Sequence, residues 1–186
     1  MARVGAELVN PVSKERFVWR HTAASTGGEF AEFDLFLGER ALVAARHVHP
    51  CQREDFRIER GAVTLRIGDS EERLEAGAKR TVPPGTPHAW RQTGRSEAHV
   101  VVRLTPALRS EDFFETFCGL ARDGKSNKKG LPRNPLQSAV LAHEFRAEFG
   151  LPSATTRTIA RPVVAALAAI GRRMGLRSRY STYSSD

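Results

Sequence analysis

Three histidines and one glutamate stand in a pattern that suits a mononuclear metal site. His47 and His49 lie two residues apart in a segment of strand-like composition. Glu54 follows them after a turn that contains Pro50, and His88 follows a proline-rich turn further along the chain. Because alternate residues of a strand face the same side, the first two imidazoles point to one face. Imidazole nitrogen and carboxylate oxygen suit first-row metals, so we predict a site for one divalent ion.

Three neighbouring side chains are candidates for the walls of the pocket around this ion. Phe56 shares the strand face of Glu54, which gives the carboxylate an apolar neighbour. Burying an unpaired carboxylate is costly, and a cation relieves that cost. Trp90 and Gln92 share the strand face of His88. For Trp90, ordinary core packing is the alternative interpretation.

Short predicted strands, separated by glycine and proline turns, surround these residues. The predicted segments are 17–19, 33–37, 41–49, 54–60, 62–67, 81–82, 88–93 and 98–104. The first of them is predicted as an edge strand. No helical periodicity occurs between the segments, which is typical of an antiparallel sandwich or barrel.

Beyond the last predicted strand the pattern becomes helical. Ser110, followed by two acidic residues, predicts a capped helix start. Asn134-Pro135 predicts a second helix, which we expect to end at Gly150. Ser153 is the expected cap of a third helix, interrupted or restarted at Pro162.

Length and charge favour one domain with an appendage. The chain has 186 residues and 40% hydrophobic content, enough for a globular core. We expect residues 1–106 to form a β-barrel with an N-terminal strand segment, and residues 107–186 to form a basic helical extension with a disordered end. The net charge of +8 is concentrated in the extension, which carries 13 Lys and Arg against 7 Asp and Glu.

The basic extension has competing explanations. Its helices can pack on the barrel or on a second subunit, since its phenylalanines need burial. Alternatively, the apolar run Val163–Ile170, followed by arginines, can rest on an anionic membrane surface. We expect no nucleic-acid binding, because the basic loop Lys125–Lys129 contains no aromatic residues for base stacking.

Targeting features and cysteines indicate the cytoplasm. No N-terminal basic stretch followed by an apolar run is present, and no apolar run reaches the roughly 20 residues that a spanning helix needs. Cys51 and Cys118 make no disulfide framework. Cys51 either reaches the mouth of the pocket or is an ordinary packed or surface thiol.

The metal-site residues resemble two motifs of the cupin family. The first motif ends His-x-His-x(3,4)-Glu-x6-Gly, and the second runs Gly-x5-Pro-x-Gly-x2-His-x3-Asn. The matching residues are His47, His49, Glu54 and Gly61, then Gly77, Pro83, Gly85 and His88. Two positions depart: Ala41 replaces a glycine before the first motif's histidines, and Gln92 replaces the closing asparagine. The resemblance covers roughly residues 30–106.

The resemblance implies a mainly β fold. This is a cupin-like antiparallel β-barrel, a double-stranded β-helix or jelly roll, here followed by two to three C-terminal α-helices. It also implies one divalent metal ion held by His47, His49, Glu54 and His88, with Fe²⁺ as first choice and Mn²⁺, Ni²⁺, Co²⁺ or Zn²⁺ as alternatives. Four protein ligands on an octahedral ion leave two positions for water, dioxygen or a bidentate substrate. A bacterial homodimer is expected by the same resemblance.

Several functions fit such a site. The leading hypothesis is a metal-dependent oxidoreductase, a dioxygenase-like enzyme that acts on a small oxygenated organic molecule. The first alternative is a metal-assisted isomerase or cyclase, in which the ion acts as a Lewis acid. The second is a non-catalytic cupin that binds or senses a small molecule.

Overall fold

In the described residues, nine strands and three helices follow one another, with all strands before all helices. The computed structural model describes residues 2–39, 41 and 45–183. The strands are β1 Glu7–Asn10, β2 Glu15–His21, β3 Ala31–Leu37, β4 Arg53–Arg60, β5 Ala62–Ile67, β6 Ser70–Glu75, β7 Lys79–Val82, β8 His88–Gln92 and β9 Ala98–Thr105. The helices are α1 Ser110–Arg122, α2 Pro135–Glu144 and α3 Ala154–Arg173, and a 3₁₀ turn spans Ser181–Tyr183.

The strands form two antiparallel sheets that share one core. The larger sheet has the order β1-β2-β3-β9-β4-β7, and the smaller has the order β6-β5-β8. In the described residues the backbone ladders do not close into a ring, and the arrangement fits the predicted jelly roll. Apolar side chains of both sheets pack into a single cluster. Its large members include Phe17, Trp19, Phe33, Phe56, Leu65 and Trp90.

Alternation along the central strands explains this core. In β3, Phe33, Leu35 and Leu37 are all buried, while Asp34 and Phe36 between them are only partly covered. A strand with this period-two pattern places its apolar side chains on one face, where they exclude water from the space between the sheets. The strand predicted at 33–37 is therefore confirmed.

Two strand predictions need comment. The segment 17–19 was predicted as an edge strand, but it lies in β2, which pairs with β1 on one side and β3 on the other. The edge strand on this side is β1, which has only four residues, and its inward positions Leu8 and Asn10 include a polar residue that hides the alternation in the sequence. Within the predicted strand 41–49, residues 42–44 lie outside the described residues, and His47 and Val48 form single bridges rather than a strand.

The first helix starts at the predicted residue for a different reason. Ser110 is not the cap, because the capping position is Arg109 and no side chain caps the helix. The Ser110 hydroxyl instead donates to the Ala107 carbonyl (2.7 Å) and accepts from Gln52 Nε2 (2.9 Å). The serine thereby ties α1 to the turn that precedes β4.

The other two helix starts are confirmed, but their later courses were predicted wrongly. Asn134 Oδ1 accepts from the Leu136 amide, and Ser153 Oγ accepts from the Thr156 amide. Helix α2 ends at Glu144 rather than near Gly150, because the chain turns there and Gly150 pairs with the backbone of Val48. Helix α3 continues through Pro162. An exposed helix tolerates this, since water can replace the lost amide donor.

None of the helices in the described residues is long and apolar enough to cross a lipid bilayer.

Candidate metal centre

Backbone pairing places the four predicted ligands side by side. His47 precedes β4, and His88 is the first residue of β8. The two histidines exchange both backbone hydrogen bonds, each 2.9 Å long. Glu54, near the start of β4, lies between Val82 of β7 and Leu104 of β9. Local strand geometry thus brings residues from three chain segments to one point.

The ligand atoms converge in a buried space. One ligand atom from each of His47, His49, Glu54 and His88 lies within 4.8 Å of every other, and all four side chains are buried. The imidazole rings of His47 and His88 have their centroids 4.3 Å apart. Four such groups could hold one metal ion, because a single point can lie within coordination distance of all of them.

Backbone carbonyls orient all three imidazoles. The Nδ1 atom of His47 lies 3.0 Å from the Ala45 oxygen, and that of His88 lies 2.9 Å from the Thr86 oxygen. The Nδ1 atom of His49 lies 2.5 Å from the Glu148 oxygen. A carbonyl can only accept, so each Nδ1 carries the proton and each Nε2 presents a lone pair to the common point. Metal-binding histidines are held in the same way.

Unsatisfied polar atoms show that these residues fit a cation. Among the described residues, the buried atoms His49 Nε2, His88 Nε2 and Glu54 Oε2 have no hydrogen-bond partner of acceptable geometry. Glu54 Oε2 is nevertheless only 2.8 Å from His88 Nε2 and 3.4 Å from His49 Nε2. Lone pairs facing one another at these distances repel, and buried polar atoms without partners are costly. A divalent ion among them would remove both costs.

The electrostatics of the cluster favour the metal-binding protonation state at His47 and at Glu54, but not at His49. Burial, together with the neighbouring His88 and His49, lowers the pKa of His47 to about 3. Burial would raise the pKa of Glu54, but His49 and His88 beside it hold that pKa well below its usual range. Burial would lower the pKa of His49, yet the Glu54 carboxylate raises it above its usual value. A neutral imidazole and an ionised carboxylate are the forms that bind metal.

Residues of the helical extension complete the centre, and sequence reasoning missed them. The segment 147–150, which follows α2, pairs with the ligand-bearing chain: Gly150 and Val48 exchange two backbone hydrogen bonds of 3.0 Å. Glu148 supplies the carbonyl that orients His49. The Phe149 ring stacks on the His47 ring, with centroids 4.8 Å apart and planes at 20°.

Phe149 is itself held by the first helix of the extension. The Phe113 ring of α1 stacks on Phe149 at a centroid distance of 5.4 Å. On the other side of the segment, the Cys51 amide donates to the Ala147 carbonyl (3.0 Å). The sequence did mark Phe149 as an apolar residue that needs burial. It did not show where, because Phe149 also continues the apolar spacing of the second helix.

The predicted pocket residues occupy different environments. Phe56 and Trp90 are buried and contact each other edge to face, with ring centroids 5.2 Å apart, as members of the common core. Gln92 uses its amide to fix the turn after β8, donating to the carbonyls of Gly94 (2.8 Å) and Ser96 (2.7 Å). Their role as pocket walls stays a prediction. Cys51 is an exposed thiol.

This chain is similar to solved structures in fold, and to one family model over part of its length. No curated protein sequence matches it. Among solved structures, the predicted oxalate decarboxylase of Thermotoga maritima aligns with a TM-score of 0.50 at 12% identity, covering 57% of this chain and 98% of its own. An RmlC-like cupin from Shewanella frigidimarina gives 0.49 at 14%, covering 56% and 87%. KdgF from Halomonas sp. gives 0.47 at 14%, covering 52% and 83%.

The family model of the cupin domain matches residues 37–103, the part of the chain that contains all four converging side chains. Residues 37–103 are therefore similar to a cupin domain, and the rest of the chain lies outside that match.

Proposed function

We propose that the protein is a mononuclear metal-dependent enzyme, an oxygenase that acts on a small oxygenated organic molecule. One divalent ion, Fe²⁺ by first choice, would be held by His47, His49, Glu54 and His88. The observation that carries the proposal is the convergence of three Nε2 lone pairs and a carboxylate in a buried space, with their other ring nitrogens already engaged.

The ligand set suits redox chemistry. When bound, an iron ion with two open positions would supply electron transfer to dioxygen beside a chelating substrate. The residues of the chain orient the ligand groups and exclude water from the site. Backbone carbonyls fix the three imidazoles, the Glu54 carboxylate balances charge, and the Phe149 ring covers the His47 side of the centre. An apolar wall of this kind would keep bulk water from the reacting groups.

We also propose a homodimer as the working form, in keeping with the oligomers that cupins often form. Analytical ultracentrifugation across a hundredfold range of protein concentration tests this directly. A mass of one chain at every concentration would contradict it.

Oxygen uptake tests the proposed reaction. The full chain is loaded with Fe²⁺ without oxygen and then mixed with air-saturated buffer and a panel of catechols, enols and 2-oxo acids. We expect substrate-dependent oxygen consumption, lost in Glu54→Gln and kept in the control His21→Ala, since His21 lies at the exposed end of β2.

The same assay separates the alternatives. Turnover of a substrate without oxygen would contradict an oxygenase and indicate a metal-assisted isomerase or cyclase. Thermal stabilisation by a panel compound without any turnover would contradict catalysis and indicate a binding or sensing protein.

A further inference from the structure

Helix α3 turns its small residues inward and its large apolar residues outward. Ala168 and Gly171 are the buried members of the helix. A Cβ atom at Gly171 would lie 2.9 Å from Val140 Cγ2 and 3.2 Å from the Leu136 oxygen, so α3 approaches α2 as closely as a glycine allows. An amphipathic helix normally buries its large apolar side chains against the protein. In α3 the large apolar side chains are exposed instead, so they are available to bind another surface.

These outward residues form one continuous strip, which we call the α3 stripe. Its members and their exposed fractions are Ile159 71%, Val163 60%, Leu167 37%, Ile170 48% and Met174 66%. Successive members are four, four, three and four residues apart, the spacing that places side chains along one side of a helix. Exposed apolar side chains in a contiguous strip mark an interaction surface.

The charge of the helix indicates the sign of its partner. Within Ala154–Arg173 there are four arginines and no acidic residue. Arg172 pairs with Glu144 at 2.8 Å, whereas Arg173 has no ion-pair partner among the described residues. Arg173 lies three residues after Ile170 and is therefore a neighbour of the stripe on the helix surface. The partner of the stripe should be both apolar and negatively charged.

The α3 helix of a second copy meets the first condition only. Pairing two α3 helices along the stripe would bring two strongly basic helices together with no acidic residue on either to compensate. Like charges at helix-pair distances repel. An anionic lipid surface offers acyl chains to the stripe and phosphates to Arg173 at the same time.

We propose that α3 docks on an anionic lipid membrane, parallel to its plane. The stripe enters the boundary between headgroups and acyl chains, and Arg173 contacts lipid phosphates. At 1.5 Å per residue the helix would lie along roughly 30 Å of the surface. This mode anchors the protein at the membrane surface. It does not require a helix that crosses the bilayer, and none of the helices in the described residues is able to cross one.

Vesicle sedimentation with a matched pair of double variants tests the proposal. The probes are vesicles of phosphatidylcholine alone and vesicles that also contain phosphatidylglycerol. Val163→Asp with Ile170→Asp places two acids in the stripe. Thr158→Asp with Ala169→Asp places two acids on exposed positions of the same helix outside the stripe. Both pairs change the net charge equally, so a difference between them reports the stripe itself.

We expect the wild-type chain to sediment with the anionic vesicles and not with the neutral ones. The stripe pair should bind at least about tenfold more weakly than the control pair. Circular dichroism and metal content should be unchanged in both, because all four positions lie on the outer part of α3. Absence of binding to anionic vesicles would overturn the proposal, and so would equal weakening by the two pairs. A dimer in ultracentrifugation that only the stripe pair dissociates, without vesicle binding, would assign the stripe to a second copy.

Discussion

At the residue scale, the orientation of the histidines in the candidate metal centre depends on main-chain acceptors rather than on side-chain ones. The carbonyls of Ala45, Thr86 and Glu148 each accept from an imidazole Nδ1. Substitution of these residues leaves a carbonyl in place, so the direction of each Nε2 depends on the backbone path. The four ligand groups are side-chain atoms, so a substitution of His47, His49, Glu54 or His88 removes the ligand atom itself.

Loss of one ligand should therefore abolish tight metal binding. His47→Ala removes one of the four ligand groups. Loss of a residue that only supports a ligand costs up to about 100-fold in metal affinity, so loss of the ligand itself should cost at least that much. His21→Ala, a histidine outside the cluster, is the control. Competition with a fluorescent chelator measures both. Equal affinity in the two variants would exclude His47 from the site.

A carboxylate far from the metal centre should make stability depend on pH. Burial raises the pKa of Glu15 from 4.5 to about 7, against a smaller opposite effect of Ser13. The folded state therefore holds this proton more tightly than the unfolded state. The stabilisation is complete below about pH 4.5 and is lost as the pH rises through 7.

Glu15→Gln tests this directly, because glutamine has no charge to bury. We expect the variant to be more stable than the wild-type chain at pH 8.5 and close to it at pH 4.5. Urea unfolding at both values measures the difference. A stability difference that is the same at the two pH values would show that Glu15 does not titrate in this range.

At the element scale, two of the three motif glycines, Gly61 and Gly77, are explained by backbone conformation and space. Gly61 joins β4 to β5 with φ at +77°, and a Cβ atom there would lie 2.9 Å from Ala98 Cα. Gly77 also has a positive φ, at +89°, but a Cβ atom there would meet nothing within 4 Å. A side chain at position 61 would therefore cause both backbone strain and a clash, whereas a side chain at position 77 would cause backbone strain alone.

Alanine at these two glycines should separate the two effects. We expect Gly77→Ala to cost about 1–2 kcal/mol of unfolding free energy through the left-handed backbone. Gly61→Ala should cost roughly 2–4 kcal/mol, because overpacking against β9 adds to the strain. Chemical denaturation of both variants gives the comparison. Equal losses would mean that the chain relaxes around Ala98.

The segment 147–150 acts as the cover of the centre, through the stacking of Phe149 on His47. Phe149→Ala should accelerate metal loss to a chelator about tenfold or more, since water then reaches the ligands and the ring no longer restrains His47. Phe36→Ala, which alters a ring stacked on His99 on β9, is the control. Stopped-flow mixing with EDTA measures the rate. Unchanged metal loss in Phe149→Ala would show that Phe149 is not a cover.

At the scale of the whole molecule, local patterns predicted far more than distant contacts. The strand series, the two-residue spacing of His47 and His49 and the return of Glu54 are short-range signals, and they predicted an antiparallel sandwich or barrel. The resemblance to the cupin motifs added the jelly roll and the set of four converging side chains. The contact of residues 147–150 with Val48 joins parts of the chain about 100 residues apart. No local period encodes such a contact, so Phe149 was interpreted as one face of a longer helix.

The same limit explains the other errors. Ser110 has the type and place of a helix cap, but tertiary contact with Gln52 engages its hydroxyl instead. Pro162 breaks helices in general, yet its turn of α3 faces solvent. In each case a packing partner or a water-exposed face, absent from the local pattern, decided the outcome.

The central claim is that three imidazole nitrogens and one carboxylate oxygen bind a single ion. The most direct test is X-ray diffraction from crystals of the full chain, purified without added metal and then soaked in Fe²⁺, at energies on both sides of the iron absorption edge. We predict one anomalous peak about 2.0–2.3 Å from the Nε2 atoms of His47, His49 and His88 and from a carboxylate oxygen of Glu54. A map with no peak at that point, or with a peak bound by other residues, would contradict the account.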